Sequence, residues 1–198
     1  YIKWKENKWI NHPISAQEKV FKTLIKEGLR TKYGKDHDFA SIRNYNDFKL
    51  RVPISDYEKI KPYINQVLKG KKNILWPGKP IYLAKTSGTT SGIKYIPITK
   101  ESMPNHIISA RNAILNYIDK TGSVDFIEGK QIFIQGSPIL ENLNGIYLGR
   151  LSGIVAHHVP TYLLKSRMPT WKTNCIEDWE KKVDSIVFET LNEKMTVI

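Results

Sequence analysis

The sequence has almost no cysteine: Cys175 is the only one among 198 residues. A single thiol excludes an intrachain disulfide, on which small secreted domains usually depend, so we expect a cytoplasmic protein. The sequence also lacks any apolar run near the roughly 18 to 20 residues of a membrane-spanning helix, and no signal peptide opens it. We therefore expect no membrane partner.

Acidic residues are scarce, with 19 Asp and Glu against 31 Lys and Arg and a formal net charge of +12. Such an excess suits nucleic acids, acidic lipid surfaces or phosphorylated ligands. The lysines are scattered, however, and the densest basic run, Lys69-Gly70-Lys71-Lys72, is short. Scattered lysines without a nucleic-acid-binding signature are more typical of a solvated surface, so we expect no nucleic-acid partner. A basic nucleic-acid-binding module remains the alternative from a different functional class.

Capping patterns predict three helix starts, each with a cap residue followed three positions later by Glu: Ser15-Ala16-Gln17-Glu18, Ser55-Asp56-Tyr57-Glu58 and Asn174-Cys175-Ile176-Glu177. Pro62 predicts the first turn of a fresh helix. Apolar residues at helical spacing predict a buried face in the first helix, formed by Val20, Phe21, Leu24, Ile25 and Leu29. They predict another helix from Thr99 to about Lys120, with a buried side formed by Ile107, Ile108, Ile114, Leu115 and Ile118.

Strand patterns begin only after Lys72. Short apolar or alternating runs predict strands at residues 73–76, 81–85, 95–99, 131–135 and 195–198, with an irregular segment after residue 136. This order predicts the α/β class, with a mainly helical N-terminal segment (1–72) leading into a mixed α/β layered portion (73–198). Because the sequence starts at Tyr1 and ends in a strand pattern, we expect both parts to belong to one incomplete domain. The truncated strand predicts an exposed sheet edge and self-association.

A dense polar loop joins two of these predicted strands. It contains five hydroxyl residues and two glycines in seven positions, Thr86, Ser87, Gly88, Thr89, Thr90, Ser91 and Gly92, with Lys94 close behind. Glycines let backbone N–H groups approach an anion, hydroxyls add short donors, and the lysine adds a full charge. A plain turn needs only one or two such residues, so the loop predicts phosphate binding. Its spacing differs from the Gly-x-x-x-x-Gly-Lys-Ser/Thr loop of P-loop enzymes.

The loop resembles the phosphate-binding motif of adenylate-forming enzymes. Most members of that superfamily have one Gly after the two threonines and a Pro before the lysine, whereas here Ser91 precedes Gly92 and Ile93 replaces the Pro. This variant is similar to bacterial members of the auxin-responsive acyl-acid amido synthetase family. Upstream segments agree, namely Thr31-x-Tyr33-Gly34-Lys35-Asp36-His37, Val52-Pro53-Ile54-Ser55-x-Tyr57-Glu58 and Pro62-Tyr63-Ile64.

The resemblance implies that the chain is part of the large N-terminal domain of a ligase that uses ATP and Mg²⁺. A carboxylic acid would become an acyl-adenylate, and an amino acid would then form the amide. It also implies that Thr86 to Gly92 hold the β- and γ-phosphates with Lys94 beside them. The adenine-binding and catalytic residues would lie beyond Ile198, so we assign no catalytic residue and expect the piece to be inactive alone. An acyl–coenzyme A ligase with a thiol acceptor remains a second alternative.

Other candidate residues carry weaker predictions. Arg111, on the helix after the loop, is a candidate contact for the acyl substrate, because a guanidinium pairs well with a carboxylate. Residues 149–153 lie in the segment predicted to be irregular and are a weaker candidate for the acid pocket. His157 and His158 would point to opposite faces of a strand, and no other ligands stand at metal spacing, so we assign no metal site. Cys175, at a predicted helix N-terminus, is interpreted as structural.

Overall fold

The computed structural model describes residues 2–88 and 92–197, and it separates into two compact units, Tyr1–Lys79 and Pro80–Ile198. The first unit is helical within these ranges, and the second combines helices with two sheets. This confirms the predicted α/β class with a helical N-terminal segment. The predicted domain boundary after residue 72 stays a prediction.

Five α-helices are described in the first unit, with a 3₁₀ turn at Phe39–Ser41: α1 (Ile2–Asn11), α2 (Pro13–Gly28), α3 (Lys32–Asp36), α4 (Tyr45–Arg51) and α5 (Tyr57–Leu68). Two of the predicted helix starts are wrong in position. Helix α2 begins at Pro13, whose ring suits the first turn, so Ser15 lies inside the helix and does not cap it.

Helix α5 is capped by Asp56 rather than Ser55, because the Asp56 carboxylate accepts a hydrogen bond of 3.0 Å from the Lys59 N–H. Pro62 does not start a new helix. It lies inside α5, which continues to Leu68.

Residues 73–76 form a turn rather than the predicted strand. Asn73 has a left-handed backbone (φ 57°), its N–H donates to the Gly78 carbonyl at 2.7 Å, and its side-chain oxygen accepts from the Gly78 N–H. The carbonyls of Asn73 and Ile74 accept the N–H groups of Lys32 and Tyr33 at the start of α3. Those carbonyls therefore cap a helix instead of pairing with a neighbouring strand.

The second unit contains the remaining elements: β1 (Tyr82–Lys85), β2 (Tyr95–Ile98), α6 (Met103–Thr121), β3 (Lys130–Ile132), β4 (Glu141–Leu143), β5 (Ile146–Arg150), α7 (Leu151–Ala156), α8 (Thr161–Leu164), β6 (Arg167–Met168), α9 (Trp171–Asn174), α10 (Trp179–Thr190) and β7 (Met195–Val197). The segment after residue 136 is therefore not irregular as predicted. The strands and helices from β4 to α9 have at most six residues each and are too short for a periodic pattern to reveal them.

The third predicted helix start is wrong in position as well. Asp178 caps α10 and accepts a hydrogen bond from the Lys181 N–H, whereas Asn174 ends the preceding helix α9.

The strands form two sheets, with the orders β2-β1-β5-β4 and β6-β3-β7. In the first sheet β1 is antiparallel to β2 and parallel to β5, whereas β4 and β5 form an antiparallel hairpin. In the second sheet β3 is parallel to both β6 and β7. Strand β7 confirms the last predicted strand and lies at the edge of the described sheet; self-association through that edge stays a prediction.

One face of the first sheet carries the core that positions the loop. Ala84, Ile98, Met103 and Ile154 are buried together, with Ile107 packed against them. Only the start of α6 takes part, and Ile108, Ile114 and Leu115 farther along are exposed, contrary to the predicted buried side. On α2 likewise Val20 and Leu24 are exposed while Ile25 is buried, and Leu29, just after the helix, is exposed as well. None of the helices in the described ranges is both long enough and apolar enough to cross a membrane.

Thr31 offers a test of the first unit. Its hydroxyl is buried, accepts the Gly34 N–H at 2.9 Å and donates to the Gly28 carbonyl at 2.7 Å. We expect Thr31→Val to lower the free energy of unfolding by about 1–3 kcal/mol, because a helix cap is lost and the Gly28 carbonyl keeps only the Thr31 N–H of its two donors. Urea unfolding of the chain, followed by far-UV circular dichroism, measures the change.

Thr23→Val is the matched control, because the Thr23 hydroxyl is exposed and only donates within its own helix, to the Lys19 carbonyl. We expect that variant to stay within about 0.5 kcal/mol of the parent. Equal midpoints for the two variants would contradict the structural role given to Thr31.

Candidate functional site

The polar loop connects β1 to β2, and hydrogen bonds between Thr86 and Lys94 close its base, which we call the neck of the loop. The last ladder pair is Lys85 with Tyr95. Beyond this pair, Thr86 and Lys94 are joined by two hydrogen bonds. The Thr86 N–H donates to the Lys94 carbonyl at 3.0 Å, and the Lys94 N–H donates to the Thr86 hydroxyl oxygen at 3.1 Å. Thr86 therefore holds the two arms of the loop together.

Both glycines of the loop have backbones that favour glycine. Gly88 has φ 69° and Gly92 has φ 77°, in the left-handed region. A Cβ on Gly88 would also lie 3.0 Å from the Gly92 carbonyl carbon and from the Ile93 nitrogen, whereas a Cβ on Gly92 would meet open space. The two arms thus approach each other at Gly88.

Five of the eight residues predicted to bind phosphate are described: Thr86, Ser87, Gly88, Gly92 and Lys94. Thr89, Thr90 and Ser91 lie outside the described residues. The structure brings the five together on one hairpin loop, and their contact with phosphate stays a prediction.

Parallel pairing brings a second segment to the base of the loop. Lys85, the last residue of β1, is in register with Arg150, the last residue of β5. The loop follows one strand and α7 follows the other, so both begin at the carboxyl ends of parallel strands. In open α/β sheets this is the edge at which ligands bind.

A salt bridge crosses the sheet at this edge. The Lys85 ammonium lies 2.7 Å from a carboxylate oxygen of Glu141 in β4, two strands away from β1. The positive charge nearest the loop on β1 is therefore already paired.

The chain after β3 also packs against this edge. The Gly136 N–H donates to the Ser152 hydroxyl at 3.1 Å, and a Cβ on Gly136 would lie 2.6 Å from Cδ of Arg150. A Cβ on Gly153 would lie 2.2 Å from the Ser137 carbonyl oxygen. Glycine at these two positions lets the 135–138 segment lie directly on the start of α7 and the Arg150 side chain.

Lys182, which the sequence reasoning missed, anchors that segment. Its side chain on α10 is 3% exposed, and its ammonium donates to the carbonyls of Gln135 at 3.1 Å and Asn174 at 2.7 Å. Burial lowers the pKa of Lys182. Burial also lowers the pKa of Arg167, whose guanidinium donates to the side-chain oxygen of Gln135. No local sequence pattern distinguishes a lysine that serves two distant carbonyls from a surface lysine.

Arg111 lies exposed on α6, and its hydrogen bonds within the described residues go to the neighbouring Asn112, at 3.0 Å for the shorter one. Its contact with an acyl substrate stays a prediction.

The two adjacent histidines follow α7 rather than lying in a strand as expected. The His158 Nε2 lies 3.0 Å from the Tyr82 hydroxyl, and the His157 Nε2 lies 2.7 Å from the Pro138 carbonyl. Burial lowers the pKa of His158. Across residues 2–88 and 92–197, no group of three or more His, Cys, Asp or Glu residues is placed to hold a metal ion. Cys175 is partly buried at the end of α9, not at a helix N-terminus as expected.

A family model described as the GH3 family N-terminal domain matches residues 5–135. Among curated proteins, the probable indole-3-acetic acid-amido synthetase GH3.13 of Oryza sativa subsp. japonica is 33% identical over 129 residues, covering 61% of this chain and 24% of that protein. The indole-3-acetic acid-amido synthetase GH3.2 of Arabidopsis thaliana is 31% identical over 94 residues, covering 46% and 17%. The chain thus spans about a quarter or less of the length of these relatives.

Two solved structures have a similar fold. The GH3.15 acyl acid amido synthetase matches with a TM-score of 0.63 at 23% identity, over 82% of this chain and 28% of that one. A complex of AtGH3.15 with 2,4-DB matches with a TM-score of 0.61 at 21% identity. At these identities the likeness shows the fold.

The neck of the loop can be tested through the Lys94 amide. Because this N–H donates to the Thr86 hydroxyl, we expect Thr86→Val to speed its hydrogen exchange by about five- to twentyfold, which corresponds to losing one hydrogen bond. Thr86→Ser keeps the acceptor and is the matched control, with exchange close to that of the parent. Nuclear magnetic resonance of the chain gives the rates, and equal protection in the Val variant would show that the neck does not depend on Thr86.

Proposed function

Because the chain belongs to the GH3 family through its N-terminal domain, we propose that it supplies the phosphate-binding part of an ATP-dependent acid–amino acid ligase. The observation that carries the proposal is the loop: its neck is closed by hydrogen bonds and its two glycines have left-handed backbones, at the carboxyl end of a parallel strand pair. Relatives named as amido synthetases support the reaction class.

The proposed chemistry has two steps. A carboxylate oxygen of the acid attacks the α-phosphorus of ATP, the bond to the bridging oxygen breaks, and pyrophosphate leaves. The amine of an amino acid then attacks the acyl carbon of the adenylate, AMP leaves with the former acid oxygen, and the amine loses a proton. Negative charge builds on the pyrophosphate in the first step, so fixed donors there lower the barrier.

In this proposal the loop residues hold the β- and γ-phosphates. Backbone N–H groups around Gly88 and Gly92 approach the oxygens without an obstructing Cβ, and the hydroxyl groups of Thr86, Ser87, Thr89, Thr90 and Ser91 add donors. Lys94 adds positive charge where the leaving group develops its own.

Mg²⁺ fits the same donor set. Hydroxyl oxygens such as that of Ser87 are hard ligands of the kind Mg²⁺ accepts beside phosphate oxygens, and the neighbouring carboxylate of Glu141 is already paired with Lys85. Bound there, Mg²⁺ would supply charge neutralisation for the phosphates.

The substrates we propose are a small carboxylic acid and an amino acid, with Arg111 contacting the acid. The relatives' names, which specify indole-3-acetic acid, and the neighbour in complex with 2,4-DB support an organic acid. The single cysteine supports a cytoplasmic location. An assay of the full-length protein with an amino acid or with coenzyme A as the acceptor separates this proposal from an acyl–coenzyme A ligase.

Lys94 provides the direct test. In the full-length protein we expect Lys94→Ala to slow acid-dependent ATP–pyrophosphate exchange by about a hundredfold or more, because a preorganised charge partner of the leaving group is lost. Thermal unfolding, measured in parallel, should shift only slightly.

Lys100→Ala is the matched control. Lys100 is exposed and lies past the far end of β2, so strand β2 separates it from the loop. We expect its exchange rate to stay within about twofold of the parent. Intact exchange in a folded Lys94→Ala variant would refute the assignment of Lys94.

A further inference from the structure

Arg150 is a cation at the base of the loop that has no assigned role. It ends β5 in register with Lys85, and the loop begins at Thr86, the residue that follows β1. Neighbours in register on parallel strands project from the same face of a sheet, so Arg150 and Lys85 share a face at the ligand-binding edge.

The carboxylate on this face pairs with the other cation. Glu141 stands opposite Leu148, two residues before Arg150, and so projects from the same face. Its carboxylate nevertheless bonds Lys85, which reaches past β5, the strand that carries Arg150. Within the described residues the Arg150 guanidinium makes no hydrogen bond or ion pair, and the side chain is exposed.

The stem of Arg150 has a fixed support. Its Cβ, Cγ and Cδ would lie 3.1, 3.3 and 2.6 Å from a Cβ on Gly136, so the stem rests directly on that glycine backbone. The glycine is held on both sides, by its own N–H on Ser152 and by Lys182 on the carbonyl of Gln135. A supported stem with an unpaired fork is preorganised for an incoming oxyanion.

The surrounding charge favours an anion. The Arg150 charge acts on Lys182, where it adds to the effect of burial in lowering the lysine pKa, against an opposing effect of Cys175. Neither cation has a carboxylate partner in the described part of the chain. A phosphoryl group would accept two parallel hydrogen bonds from the Arg150 guanidinium, and its negative charge would reduce the repulsion between Arg150 and Lys182.

We propose that Arg150 binds phosphoryl oxygens of the nucleotide held by the loop, as a second cation beside Lys94. The inference rests on the proposed function and adds a residue from a different strand to the phosphate site. Arg150 then binds the nucleotide from β5 while the loop binds it from β1.

The experiment measures acid-dependent ATP–pyrophosphate exchange in the full-length protein with Arg150→Met and Arg150→Lys. We expect Arg150→Met to raise the KM for ATP at least tenfold and leave the KM for the acid within about twofold, because a charge-assisted contact to phosphate is lost. Arg150→Lys keeps the charge without the fork and should recover part of the loss. Lys165→Met, an exposed change before β6 at the amino end of the second sheet, is the control and should leave both constants unchanged.

The outcomes separate the two proposals. Exchange by the parent with an unchanged KM for ATP in folded Arg150→Met overturns the role of Arg150 and leaves the proposed function standing. A rise confined to the KM for the acid also overturns it, since Arg150 would then serve the carboxylate. Absence of exchange in the parent overturns the proposed function and this inference with it. If Arg150→Met does not fold, Arg150→Lys decides: a KM for ATP equal to that of the parent would overturn the role proposed for the Arg150 guanidinium.

Discussion

The parallel pairing of β1 with β5 is the contact on which the candidate site depends. It sets Lys85 beside Arg150, and it puts the start of the loop and the start of α7 at one edge. Either strand alone would present only half of that edge. The pairing is buried through Leu83 and Leu148, which are in register with each other and are 0% and 5% exposed. Burial of these two side chains stabilises the register, and the register positions the polar residues two places farther along.

The positive charge at the candidate site comes from a few nearby side chains and not from the overall excess of Lys and Arg in the chain. Residues 1–79 contain eighteen Lys and Arg against eight Asp and Glu, whereas residues 80–198 contain thirteen against eleven. The unit that carries the loop is therefore close to neutral. In the proposed site, attraction for phosphate would depend on Lys94 and Arg150 at close range, where screening by salt is weakest, while Glu141 neutralises Lys85.

The elements that could be predicted from the sequence are those whose signal is local. Strands β1 and β2 are short apolar runs bounded by Gly and Pro, and the loop between them follows from its own composition. The helix starts differ from the predictions by one to four residues, because Pro13 starts α2 and because several residues before α5 and α10 can cap. At the start of α5 both Ser55 and Asp56 have suitable side chains, and the backbone places Asp56 at the cap.

The parts that could not be predicted depend on contacts between residues far apart in sequence. Residues 73–76 have the composition of a strand, yet their carbonyls cap α3, some forty residues earlier. Lys182 has the sequence context of a surface lysine, and only the fold shows that its ammonium serves carbonyls 47 and 8 residues away. Gly136 is similar. A Cβ there would lie 2.6 Å from Cδ of Arg150, and this close approach of a residue in β5 leaves no local sequence pattern. A local motif could therefore identify the loop, whereas Arg150 and the residues that support its stem become visible only in the folded chain, where β1 pairs with β5.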